Sequence, residues 1–86
     1  MMSLQEIESE LLRTINDLAA QGLPERDVHR ALELTKAGEP GVALENLCTQ
    51  LFERDLVVSD IHRAILEKLG TQMGLKSVHW TQLRRK

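Results

Sequence analysis

Apolar residues return every three or four positions through the first part of the chain: Leu4, Ile7, Leu11, Ile15 and Leu18, with Leu12 widening the stripe. That period marks one buried face of an α-helix. Ser3 stands just before the stripe and Glu6 three residues after it, the spacing at which a hydroxyl and a carboxylate cap the free N–H groups of a first turn. Glu8 and Glu10 also suit the positive end of a helix, and Gly22 is the expected stop. Pro24 suits the first position of a second helix, with Glu25 and Asp27 in its first turn. Val28, Ala31, Leu32 and Thr35 are its expected inner face and Gly38 its end.

Pro40 opens a third helix by the same rule. Leu44, Leu47, Cys48 and Leu51 make one face, with Ala43 and Phe52 at its edges; Asn46, Gln50 and Glu53 point the other way, and Glu45 and Thr49 lie between. Leu56, Val57 and Val58 form a short extended link, expected as a buried loop because no other segment offers itself as a pairing strand. Ser59 is the expected cap of a fourth helix with Ile61, Ile65, Leu66, Leu69 and Met73 facing inward. Gly70 inside that helix costs about 1 kcal/mol relative to alanine, which points to close packing. Gly74 ends it. Ser77 starts a last short helix from Val78 to Leu83 anchored by Val78 and Trp80, and residues 83–86 are expected to fray. The pattern is that of an all-α protein: one domain over residues 1–86, a compact bundle of four to five short amphipathic helices.

Composition sharpens this picture in three ways. Phe52 and Trp80 are the only aromatic residues, so the core has to be aliphatic. Cys48 is the only cysteine, which excludes an intrachain disulfide and a cysteine-based zinc site and fits a reducing compartment. No run of about 18 apolar residues is present. The first residues, MMSLQEIESELL, lack a basic stretch followed by an apolar one, so no secretory signal and a cytoplasmic location are expected.

The net charge of −2 conceals an asymmetry. Residues 1–62 carry 12 acidic and 5 basic side chains, whereas residues 63–86 carry 1 acidic and 6 basic ones. An acidic body repels nucleic acid and attracts basic protein. Arg63, Lys68, Lys76, Arg84, Arg85 and Lys86 can contact phosphate, but they are dispersed, so nucleic-acid binding ranks below protein binding.

Nothing points to catalysis, a cofactor or a metal. His29, His62 and His79 show no metal-binding spacing. Cys48 falls on an apolar face, where cysteine behaves as a small hydrophobe. Paired carboxylates such as Glu6 with Glu10, or Glu53 with Asp55, read as solvated surface, since acid–base catalysis needs such groups in a pocket with divergent pKa values. The acidic residues on and after the third helix are Glu39, Glu45, Glu53, Asp55 and Asp60, and Asn46 and Gln50 add hydrogen-bonding groups between them. They read either as solubilising residues or as an electronegative surface for a cationic protein, for which a nuclease is a natural candidate.

The stretch GEPGVALENLCTQLFERDLVVS, followed by IHRAILEKLGTQMGL and Trp80, resembles the Maf-type (MafI-like) family of bacterial polymorphic-toxin immunity proteins. The resemblance covers about half the chain, from Gly38 to Trp80. Its most specific part is Ala43-Leu44-Glu45-Asn46-Leu47-Cys48 followed by Gln50-Leu51, with the Leu69-Gly70 and Met73-Gly74 pairs. Phe52 and His62 depart from the family's aromatic preferences at their positions. The resemblance implies a cytoplasmic antitoxin in bacterial competition or contact-dependent growth inhibition. It would bind the C-terminal toxic domain of a polymorphic toxin, such as an EndoU-type or other ribonuclease. Glu45, Asn46, Gln50, Glu53 and Asp55 are the candidate contacts. A regulatory or adaptor protein for another basic surface is the alternative, followed by a nucleic-acid-binding regulator, and homo-oligomerisation through an apolar helix face stays open.

Overall fold

Ser3 and Glu6 cap each other as their spacing predicts. The Glu6 backbone N–H donates to Ser3 Oγ (3.1 Å) and the Ser3 N–H to Glu6 Oε1 (2.9 Å). The Ser3 backbone N–H foremost, and the Ser3 hydroxyl after it, hold the Glu6 carboxyl below its ordinary pKa. They start α1 (Leu4–Ala20) in a computed structural model that describes residues 1–85. Four further helices follow: α2 (Glu25–Lys36), α3 (Pro40–Glu53), α4 (Asp60–Gln72) and the single-turn α5 (Val78–Thr81). Pro24 sits one place earlier than expected, in the capping position of α2 rather than inside it. The molecule is an all-α bundle.

The four longer helices end alike. The N–H groups of Leu23, Glu39, Leu56 and Leu75 bond back to the carbonyls of Leu18, Leu34, Leu51 and Gly70 at 2.9–3.1 Å. This closure needs a left-handed residue just before the bonded N–H. Gly22, Gly38 and Gly74 fill it at three ends. At the end of α3 the residue is Asp55, with φ 53, the one described non-glycine residue with positive φ.

The core is aliphatic as composition requires. Leu11 and Ile15 of α1, Leu44, Leu47 and Leu51 of α3, and Leu66 and Leu69 of α4 are all but inaccessible. α3 lies at the centre: it packs most extensively on α2 and also touches α1, α4 and α5. Asp27, which the sequence placed only as a charge in a first turn, is buried, and its Oδ2 accepts from Arg54 Nε at 2.6 Å. That ion pair pins the start of α2 to the end of α3.

The structure corrects several expectations about the second half. Ile61 is 72% exposed rather than inward. At 100° per residue it stands about 140° from Leu66, while His62 stands about 40° away and takes the inward place in the first turn. Val78 is exposed too, leaving Trp80 and Leu83 as the buried anchors of the C-terminal segment. Residues 83–85 do not fray: Leu83 is 4% exposed. Val57–Val58 (β1) and Arg84–Arg85 (β2) pair in parallel, Val57 opposite Arg84 and Val58 opposite Arg85. Lys86 lies outside the described residues. The link after α3 therefore does find a strand partner, in a basic dipeptide that no apolar pattern marks.

Trp80 seats this segment. Its ring lies over Gly70 of α4, where a Cβ would fall 2.8 Å from Cη2, 2.9 Å from Cε3 and closer still to Cζ3. Helix propensity alone favours Gly70→Ala by about 1 kcal/mol, but the ring has no room for the methyl, and overpacking of this kind costs about 1–3 kcal/mol. The substitution is expected to lower the melting temperature, and to cost less when introduced into a Trp80→Leu background, as a double-mutant cycle by thermal denaturation will read. A rise in melting temperature would contradict the contact.

Candidate partner-binding face

With Ala43, Leu44, Leu47, Cys48 and Leu51 turned into the core, α3 keeps one line of positions on the outside: Val42, Asn46, Thr49 and Glu53. Their spacings of four, three and four residues place them along one helical ridge. Glu45 and Phe52 flank the ridge on one side and Gln50 on the other. Val42 and Phe52 are respectively 46% and 50% exposed, so the face mixes apolar and polar groups.

The five expected contact residues share this region but not one environment. Glu53 is exposed and forms no ion pair among the described residues. Asn46 on the ridge and Gln50 beside it are half-buried. Glu45 Oε2 lies 3.3 Å from His79 Nε2 of α5. Asp55 holds the left-handed turn after α3, and its Oδ2 accepts from Arg84 Nη1 at 2.6 Å. Both of these carboxylates thus already meet a basic group of the protein while staying open to solvent on another side. Phe52, read from sequence as an edge of the core, belongs to the outward face.

Cys48 is fully buried, and burial first, with the Glu45 charge second, pushes its thiol up to about 12. A thiolate nucleophile needs the opposite environment. The three histidines occupy separate places. His29 lies 3.8 Å from Glu33 on the surface of α2, and His79 faces Glu45. His62 brings together a serine and a carboxylate that the sequence kept apart: its Nδ1 is 2.8 Å from Ser59 Oγ and its Nε2 is 3.3 Å from Asp17 Oδ2. Hydroxyl, imidazole and carboxylate are the groups of a hydrolytic triad. Here, however, Ser59 Oγ accepts the His62 backbone N–H at 3.1 Å as the cap of α4. The cluster ties the start of α4 to α1, where Gln21 Nε2 also approaches His62 Nδ1 at 3.4 Å. The Ser-x-x-His spacing could have announced the first contact; the one to Asp17, 45 residues away, carries no local signal.

Among the described residues no three His, Cys, Asp or Glu side chains are grouped so as to hold a metal ion, and no helix is long and apolar enough to cross a membrane. Of the basic residues of the C-terminal third, Lys68 pairs with Glu10 and Arg84 with Asp55. No protein-family model, curated protein or solved structure matches the chain.

In the folded state Cys48 keeps its proton to about pH 12, whereas an exposed thiol loses it from about pH 9. Above pH 9 the unfolded chain therefore binds fewer protons, and stability falls as pH rises toward 12. Urea unfolding is expected to show this fall, and to show less of it in Cys48→Ala; equal slopes in the two proteins would count against the buried thiol. At the end of α3, Asp55→Gly relieves the left-handed backbone and gives up an exposed ion pair worth about 0–1 kcal/mol, so it is expected to be near neutral. Asp55→Ala keeps the backbone cost and loses the pair, so it is expected to be about 1–2 kcal/mol less stable than Asp55→Gly. Matched melting curves decide between them.

Proposed function

We propose that this protein is an immunity protein: it binds the C-terminal toxic domain of a bacterial polymorphic toxin in the cytoplasm and neutralises it stoichiometrically, without catalysis of its own. The outward face of α3 carries the reading. It presents a half-exposed aromatic ring and an unpaired carboxylate on a helix whose opposite face is locked in the core. Aromatic anchors beside charged groups are the usual source of binding energy at protein interfaces. A rigid helix also loses little conformational entropy on binding. The resemblance of the segment from Gly38 to Trp80 to the Maf-type immunity family supplies the biological class, and the carboxylates favour a cationic partner such as a ribonuclease.

Co-purification with the product of the immediately upstream gene tests the reading, followed by survival of cells expressing that product's C-terminal domain. Protection by this protein supports immunity. Survival that is no better with the protein than without it overturns the proposal. Within a protecting complex, Glu53→Lys and Phe52→Ala are each expected to weaken binding by about tenfold or more, corresponding to about 1.4 kcal/mol. Their melting temperatures should stay at the parent value, and Glu33→Lys on α2 should bind as the parent does. Calorimetry showing unchanged affinity for both α3 variants would move the contact elsewhere.

A further inference from the structure

We infer that the cleft between α4 and α5 is a binding site for a carboxylate group. Two buried donors point to it. Trp80 Nε1 and Arg63 Nε are each shielded from solvent and lack a hydrogen-bond partner among the described residues. Both residues line one cleft of about 260 Å³, together with Asp60, Glu67, Thr81 and Arg85. An indole N–H and a guanidinium N–H can only donate. A buried donor without an acceptor is costly to keep, and two of them on one cleft call for acceptor oxygens there, of which a carboxylate carries two. The ring edge of Trp80 that meets Gly70 is Cε3–Cζ3–Cη2, which leaves the nitrogen-bearing edge turned away from that contact.

The charges support an anion of modest strength. Arg63 lies three residues after Asp60 and four before Glu67, spacings that join opposite charges on a helix. Even so, neither Arg63 nor Arg85 forms an ion pair among the described residues. Both guanidinium groups are therefore available, and a planar carboxylate matches the fork of a guanidinium. Asp60 and Glu67 at the same cleft oppose a doubly charged phosphate more than a singly charged carboxylate. Because the two nitrogens are covered, the flexible side chain of Arg63 has to shift for an oxygen to reach them. None of the lining residues belongs to α3, so the site stands or falls independently of the proposed partner face.

Trp80 is the sole tryptophan, so its indole N–H gives a single resolved signal in a nitrogen-15 correlation spectrum. Titration with acetate at constant ionic strength is expected to move that signal saturably, and chloride is expected not to. Capped glutamate binding more tightly than acetate assigns the carboxylate to an acidic side chain of a peptide; equal binding assigns it to small free acids. Arg63→Gln and Arg63→Lys both remove the Nε donor, and each is expected to weaken the acetate response about tenfold. The absence of a saturable shift in the parent protein overturns the site and leaves water as the acceptor. A chloride response equal to that of acetate, an undiminished response in both folded variants, or tighter binding of inorganic phosphate overturns the carboxylate assignment.

Discussion

The C-terminal third of the molecule depends on one contact, the indole of Trp80 laid over Gly70 in the middle of α4. A glycine there weakens the helix, so its presence has to be offset by what the missing side chain allows. It allows the largest side chain of the protein to be almost wholly buried. Once the ring is seated, α5 is fixed against α4 and α3, Leu83 reaches the core, and Arg84–Arg85 come alongside Val57–Val58. His79 is set beside Glu45 by the same short turn. A helix of four residues cannot hold such positions by its own hydrogen bonds, since isolated helices of this length are unstable in water.

The charge asymmetry of the sequence is partly consumed by folding. Among the described residues the basic end folds back on the acidic body: Arg84 returns to Asp55 and Lys68 to Glu10. Asp27 and Arg54 do the same inside the acidic half, where burial makes the loss of either partner more costly than in an exposed pair. The surface that remains electronegative is narrower than the sequence suggests: of its acidic set, Glu39, Glu53 and Asp60 form no ion pair among the described residues, and Glu53 is the one of these on the outward side of α3.

The helices and their limits were legible because each is written locally. A 3.6-residue stripe, a capping serine and a terminal glycine or proline lie within a few positions of what they determine, and Gly70 announced close packing even before its partner was known. Ile61 does not follow its hydrophobicity inward; the first turn of α4 instead turns His62 inward, where a hydroxyl and a carboxylate satisfy the ring. The pairing of Val57–Val58 with Arg84–Arg85 was illegible because a two-residue strand of arginines has no apolar alternation, and its partner is 27 residues away. A separation of 29 residues likewise hid the tie between Asp55 and Arg84, and with it the structural task of an aspartate that composition grouped with contact residues.

That task does not remove Asp55 or Glu45 from the proposed partner face, but it changes how they would act there. The Asp55–Arg84 pair is largely exposed, with side-chain accessibilities of 70% and 58%, and Glu45 is 43% exposed beside His79. Exposed pairs contribute about 0–1 kcal/mol, because water and salt compensate both charges when they separate. A cationic partner could therefore add to these carboxylates, or replace their internal cations, with little loss of fold stability. Until then Arg84 and His79 hold the carboxylates in place along one side of α3, so less side-chain freedom is lost on contact. The pairs that look like competitors of binding would thus prepare the face for it, while Glu53 and Phe52, held by neither, would set how tightly the partner is retained.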